Sequence, residues 1–275
     1  LRRVSPKDHL WLHIRDLPYF RGLLRAVEAR FYEEIDLPGP VLDIGCGDGH
    51  FAAAVFDAPL DVGLDPWWAP LREAGQRGSY RGLTRAAGDS IPFPDGAFGS
   101  VISNSVLEHI PEVEAVLADM SRVLRPGGVM AFCVPNDHFS GNLSIGRAFD
   151  RLGWRAAGDA YRRFFNRIAR HVHLDGPEVW TRRLAACDME IEAYWHYYAP
   201  DALHVTEWGH YFGAPAWIVR QLTGRWLLAP TRWNLGWLYA LLRPYYTQKG
   251  SRRDGPQSGP ETGVCTFYVA RKRGD

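Results

Sequence analysis

Val41-Leu42-Asp43-Ile44-Gly45-Cys46-Gly47-Asp48-Gly49-His50-Phe51 decides the fold. Apolar residues interrupted by one acid run into glycines at alternating positions, the pattern of a buried strand that ends in a tight turn and hands over to a helix. Gly45, Gly47 and Gly49 reach backbone angles closed to other residues and, without Cβ atoms, let a ligand lie against the main chain. The common dinucleotide fingerprint after a first strand is G-x-G-x-x-G, which seats a pyrophosphate on a helix N-terminus. Here the spacing is G-x-G-x-G, with Asp43 inside the strand and Asp48 in the loop. Two carboxylates repel a diphosphate and suit a ligand that carries an ammonium and a sulfonium.

Further short motifs follow in order: Gly63-Leu64-Asp65, Ala87-Gly88-Asp89-Ser90-Ile91-Pro92-Phe93, Asp95-Gly96-Ala97-Phe98-Gly99-Ser100-Val101, Leu107-Glu108-His109 and Leu124-Arg125-Pro126-Gly127-Gly128. With the glycine turn they form a continuous set over roughly residues 38 to 135 that resembles the class I S-adenosylmethionine-dependent methyltransferases, and most closely their small-molecule branch. The resemblance implies an α/β, Rossmann-like open twisted sheet of seven strands, with helices on both faces and an antiparallel last strand. It also implies S-adenosyl-L-methionine as cofactor.

On this reading residues 1–37 are an N-terminal helical segment and 38–275 the methyltransferase domain. Apolar residues from Leu12 to Ile35 recur at helical spacing, and Pro18 splits them into two helices. Strands are expected at Val41–Ile44, Leu60–Asp65, Leu83–Ala87, Phe98–Ser103, Val129–Val134, Ile191–Tyr198 and Val264–Arg271. Two stretches interrupt the family order, 135–176 and 201–260, and form a cap for substrate or partner.

Cofactor-binding candidates are Asp43, Gly45, Cys46, Gly47 and Gly49 of the turn, with Asp65, Asp89, Ser90 and Asn104. Asp65 ends the second strand, where a carboxylate accepts hydrogen bonds from both ribose hydroxyls. Asn104 sits at the carboxyl edge of a central strand, facing the crevice in which open sheets bind ligands. The family likeness sets Asp89 and the Ser90 backbone beside the adenine ring.

Methyl transfer from a sulfonium is a direct displacement and needs no covalent nucleophile; a hydroxyl acceptor must still lose a proton. His138, just beyond strand five, is the leading base candidate, with His109 and Asp137 behind it. Each also reads as a turn or pocket-lining residue without chemistry. His171 and His173 form an H-x-H pair, but nothing nearby completes a metal site.

The balance of 32 Lys+Arg against 31 Asp+Glu, a net charge of +1, provides no global field for nucleic acid. The acceptor is therefore expected to be a small or medium-sized organic molecule, methylated on oxygen. Cys46, Cys133, Cys187 and Cys265 form no C-x-x-C pair and read as free thiols in a reducing compartment. The start lacks an export signal, and the missing Met suggests that the visible chain does not begin at the native start. No apolar run is long enough to span a membrane, so a cytoplasmic protein is expected.

Residues 208–247 hold five of the eleven tryptophans, Trp208, Trp217, Trp226, Trp233 and Trp237, with four arginines and no acid. Pro215, Gly224 and Pro230 divide the stretch into two helices, the second with an apolar face of Trp233, Trp237, Leu238, Leu241 and Leu242. Such a face packs into the protein's own core, forms a homodimer seam, or rests peripherally on an anionic membrane and delivers a lipid-like acceptor. Two other readings of the whole chain stay open: a cofactor-binding homologue without transfer activity, and an NAD-dependent oxidoreductase.

Overall fold

Strand β1 (Val41–Ile44) is buried along its whole length, and the rest of the chain is arranged about it. The structure, a computed structural model, describes residues 4–223, 235–247, 251–254 and 263–274, with side chains omitted over 212–223 and 251–254. On one side β1 pairs in parallel with β2 (Leu60–Asp65), which in turn pairs with β3 (Tyr80–Arg85). On the other it pairs with β4 (Phe98–Asn104), followed by β5 (Leu124–Pro135). The strand order reverses between β1 and β4, which creates the crevice where sheets of this kind bind ligands.

The antiparallel strand is present. β8 (Cys265–Lys272) lies between β5 and β6 (Met189–Tyr197) and runs opposite to both. An eighth strand, β7 (Ser251–Asp254), pairs antiparallel with the outer edge of β6, so the sheet order is β3-β2-β1-β4-β5-β8-β6-β7. The expectation of seven strands is therefore exceeded by one short edge strand from within the second insertion. β3 also begins earlier than its apolar residues suggest, at Tyr80.

Alternate residues of the strands feed two cores. Val129, Ala131 and Cys133 of β5 face α1 (His9–Ile14), α2 (Tyr19–Tyr32), α3 (His50–Val55) and α4 (Trp68–Arg77). Met130, Phe132 and Val134 face α5 (Val113–Val123) and α9 (Pro177–Ala185). Helix α5 shows why such segments form: Val113, Val116, Leu117, Met120 and Val123 recur every three or four residues and are all buried. Pro18 ends the first helical segment and takes the N-cap of α2, where its missing N–H is no loss.

The first insertion folds into α6 (His138–Gly141), α7 (Ser144–Arg151) and α8 (Arg155–Ala169). The second contains α10 (Pro200–Thr223) and α11 (Leu235–Tyr246). Helix α11 buries Leu235, Leu238 and Leu242 in the core and leaves Trp237 and Leu241 about half exposed. With Trp208 of α10, also half exposed, these flank a groove of about 520 Å³ against Tyr19. The expectations for Trp226, Trp233, Gly224, Pro230, Arg225 and Arg232 lie outside the described residues, as do those for the side chains of Phe212, Pro215, Trp217 and Arg220. Among the described residues no helix is long and apolar enough to cross a membrane. The four cysteines are free thiols, three of them buried.

Candidate active site

Two backbone hydrogen bonds hold the start of the glycine turn against the neighbouring strand. The N–H groups of Gly45 and Cys46 both donate to the carbonyl of Leu64, at 2.8 and 3.0 Å, which folds the end of β1 against β2. Gly45, Gly47 and Gly49 have φ of +72, +55 and +71°, in the left-handed region. Their roles differ. A Cβ on Gly45 would lie 2.6 Å from the methyls of Val106, and one on Gly49 2.4 Å from Ser79 Oγ. A Cβ on Gly47 would meet nothing within 4 Å, so this residue leaves the main chain open to a ligand.

That opening belongs to a cleft of about 410 Å³ lined by Asp43, Gly45, Cys46, Gly47, Asp48 and Asn104, together with Arg21 and Arg25 of α2 and His50 and Phe51 of α3. Gly49 and Asp65 support the turn from behind: Asp65 accepts from the N–H of Gly47 at 3.0 Å and from that of Trp67 at 2.9 Å. Asp43 is 4% exposed, and its carboxyl accepts the Tyr80 hydroxyl at 2.6 Å. Burial pushes Asp43 up to about 7, against the pull of the Tyr80 hydrogen bond and of Arg25. The other acid near the turn, Asp48, is half-exposed. It accepts from the N–H of His50 at 3.1 Å and pairs with Arg77 at 3.3 Å. Asp89 and Ser90 are exposed in the turn after β3 and do not line the cleft.

A second cavity, about 520 Å³, adjoins the first: Arg21 and Arg25 line both. Phe20, Leu24, Val134, Phe139, Phe165 and Ile168 supply apolar walls, and Ser105, Glu108, His109, His171, Tyr197 and His210 bring polar groups. Among the described residues four non-glycine residues have positive φ, and three of them, Ser105 (51°), Arg170 (59°) and Tyr198 (65°), line this cavity. Such conformations cost free energy and gather where geometry is imposed by function.

Between the two spaces stands Glu28 of α2, 1% exposed. Its carboxylate accepts from Asn104 Nδ2 (2.5 Å), Ser105 Oγ (2.8 Å), Tyr197 Oη (3.1 Å) and Arg25 Nη1 (3.1 Å). Asn104 is thereby held at the cleft wall, with its amide oxygen taking the Cys133 thiol at 3.2 Å. Glu28 and Tyr197 were invisible as site residues in the sequence; the Arg25–Glu28 spacing reads as an ordinary surface pair.

His109 lies 2.9 Å through Nδ1 from the carbonyl of Arg170. A carbonyl has no proton to give, so Nδ1 carries the hydrogen and neutral His109 keeps its lone pair on Nε2. Burial lowers its pKa, with the Arg170 bond opposing. His210 is oriented in the same way by the Thr206 carbonyl, at 2.9 Å. His171, stacked on His109 with centroids 5.8 Å apart, is pushed down to about 3 by burial. His173 turns to the carbonyl of Ile110, at 3.0 Å, so the H-x-H pair does not converge. Among the described residues no group of three or more His, Cys, Asp or Glu is arranged to hold a metal.

Glu108 is 3% exposed, and its Oε2 has no hydrogen-bond partner. Burial pushes it up to about 8, against Arg25. The motif Leu107-Glu108-His109 brought it into view, but its task could not be read without the cavity. His138 and Asp137 line neither space. Strand β5 reaches the cavity with Val134 and Pro135; Asn136, wholly buried, is then tied to Gly263 and Thr266 at 3.1 Å, and the chain carries residues 137 and 138 outward.

A family model described as a methyltransferase domain matches residues 42–132. An uncharacterized methyltransferase of Mycolicibacterium gilvum is 36% identical over 132 residues, which is 46% of this chain and 51% of the relative. The chain spans about half the length of the curated relatives it matches. Among solved structures, a SAM-dependent methyltransferase of Thermotoga maritima aligns with a TM-score of 0.53 at 12% identity, covering 93% of this chain and 89% of that one. A (4+2)-cyclase aligns with a TM-score of 0.54 at 16% identity, covering 100% and 88%. At such identities the likeness is one of fold, and one fold hosts different chemistries.

Proposed function

We propose that this chain, which belongs to the class I S-adenosylmethionine-dependent methyltransferase family, transfers a methyl group from S-adenosyl-L-methionine to a hydroxyl of a small or medium-sized, largely apolar organic acceptor. The observation that carries this reading is the junction of the two spaces at Arg21 and Arg25, one space beside the glycine turn and the other mostly apolar. When bound, the cofactor supplies an electrophilic methyl group on a sulfonium.

The residues present suit that cofactor. Gly47 leaves room for it against the main chain, Asp65 stands at the strand end suited to ribose hydroxyls, and Asp43 and Asp48 favour its cationic groups. The acceptor side is built differently. Its histidines are neutral, and those at 109 and 210 present Nε2 as an acceptor, an environment for a hydroxyl rather than for a second cation. Aromatic and aliphatic walls exclude water from the transfer.

Calorimetric titration with adenosylhomocysteine and with NAD tests the cofactor, and mass spectrometry of cell extract incubated with methyl-labelled cofactor tests the transfer. Binding of adenosylhomocysteine with label in a small neutral product is the expected result. Binding of NAD alone would replace this function with a redox one, and cofactor binding without label in any product would leave a binding protein.

A further inference from the structure

We propose that Glu108 binds the acceptor's reacting hydroxyl through Oε2 and removes its proton during transfer, an assignment that rests on the methyl-transfer reading above. The same segment serves both spaces. Asn104 ends β4 at the cleft, Ser105 turns the chain with φ of 51°, and the short helical turn Leu107–His109 sets Glu108 in the cavity wall. Its backbone carbonyl accepts the N–H groups of Val172 (2.8 Å) and His173 (3.1 Å), so the chain leaving α8 is fastened at this residue. The position is held from both sides.

A buried carboxyl with an unpartnered oxygen is costly unless a ligand supplies the missing bond. The charged and titratable groups around it do not supply one. Arg25 of α2 is engaged by Glu28 and by the carbonyl of Asn104 at 2.8 Å. His109 holds Nε2 at 3.7 Å from Oε1, outside hydrogen-bond reach. Arg170 follows α8 and meets His109 through its carbonyl, His171 is kept neutral by burial, and His210 of α10 is bonded to Thr206. An acceptor hydroxyl supplies that bond to Oε2.

Burial also reverses the usual order of basicity here: Glu108 is pushed up to about 8, while His109 and His210 are pushed down. A carboxylate is thus a stronger base in this cavity than either imidazole. In the step itself the acceptor oxygen gains the methyl as the carbon–sulfur bond breaks, with its electron pair left on sulfur, and the hydroxyl proton passes to ionised Glu108.

The test compares the full chain with Glu108→Gln, which keeps the shape and removes the acid. Infrared difference spectra between the two proteins, without cofactor, should show a protonated carboxyl that disappears as pH rises through about 8. With methyl-labelled cofactor and a panel of phenol, catechol and hydroxyquinone probes, wild-type labelling should rise over the same pH range. In Glu108→Gln it should fall about a hundredfold or more and lose that rise, with adenosylhomocysteine affinity unchanged. No titrating carboxyl, or full labelling with the same pH profile in the variant, overturns the assignment. Should Glu108→Gln fail to fold, Glu108→Asp replaces it: the carboxyl midpoint and the rate midpoint should move together, and movement of one alone overturns it. A wild type that binds no adenosylhomocysteine or labels no probe brings down the methyl-transfer reading itself, and Glu108's role with it.

Discussion

Asp65, at the end of β2, holds the N–H of Gly47 at 3.0 Å, so the strand end proposed for the ribose also shapes the glycine turn that borders the cleft. Its other oxygen holds the N–H of Trp67 at 2.9 Å. Asp65→Ala removes these bonds and, on the proposed reading, the ribose contact with them. Adenosylhomocysteine affinity should fall roughly ten- to a hundredfold, the effect of about 1 to 3 kcal/mol of lost hydrogen bonding to a charged group. Calorimetry on a variant shown to be folded checks this, and an unchanged affinity would remove Asp65 from the site.

Gly47 and Gly45 should fail in different ways. Gly47→Ala places a methyl in open space and bears only the cost of a left-handed backbone, roughly 1 to 2 kcal/mol, yet that methyl occupies the cleft. It should melt a few degrees lower and bind adenosylhomocysteine poorly. Gly45→Ala drives a methyl against Val106 and should lose more stability than Gly47→Ala. Equal melting temperatures for the two variants would contradict this division of labour.

Asp43 makes both stability and binding depend on pH. Its folded pKa, raised to about 7 by burial, exceeds the unfolded value of roughly 3.9. Its contribution to stability is therefore full below about pH 4 and is lost as pH rises through about 7. The loss amounts to at most ~4 kcal/mol, and Asp43→Asn should flatten the denaturant midpoint over this range. A cationic ligand beside Asp43 favours the carboxylate, so S-adenosylmethionine binding below pH 7 should release a proton. Calorimetry in buffers of different ionisation enthalpy measures that release; binding without it would leave Asp43 protonated and outside the cation's reach.

What the sequence made legible was contiguous. The turn after β1, the acids at strand ends and the apolar periodicity of α5 are local patterns, and each lies where its pattern indicates. The eighth strand left no such trace, because Ser251-Arg252-Arg253-Asp254 has no apolar alternation; charged residues are common on sheet edges, where they discourage further pairing. The acceptor wall was illegible for another reason. Three of the four partners of Glu28 lie 76, 77 and 169 residues away, a convergence created only by the fold. His138 was judged by closeness in sequence to the end of β5, and the buried anchor at Asn136 turns the chain before that residue can reach the cavity.

His13 should set the acid limit of the N-terminal helices. It is wholly buried in α1, neither ring nitrogen has a partner, and its ring lies 5.3 Å from that of His50 and 5.8 Å from that of Phe51. Burial holds its pKa well below 6.5, with His50, His9 and Arg25 adding to the effect. The unfolded chain then binds the proton first, so this contribution to stability is full above about pH 6.5 and falls as pH is lowered. His13→Leu removes the titration and the unpaired nitrogens. Its stability should fall less than that of wild type between pH 7 and 5; parallel curves would exclude His13 as the acid-sensitive group.

The bonds at Glu28 predict a variant that damages both spaces at once. Glu28→Ala leaves the partly buried Arg25 without its carboxylate and removes acceptors from the buried Asn104, from Ser105 and from Tyr197. Breaking one side of a fully buried pair costs about 3 to 5 kcal/mol, and the partial exposure of Arg25 makes the loss here smaller. The remaining bond from Arg25 to the carbonyl of Asn104 does not replace a counter-ion. Double replacement, Arg25→Met with Glu28→Leu, removes the charge imbalance and should recover much of the stability lost in Glu28→Ala, because well-packed apolar residues often replace buried pairs without loss. It should not recover adenosylhomocysteine affinity, since Asn104 and Ser105 still lack the carboxylate that fixes them at the junction. Denaturation and calorimetry on the two variants separate the effects: recovery of both would make the Arg25–Glu28 pair a packing element, whereas recovery of stability alone would assign the alignment of the cleft to the pair.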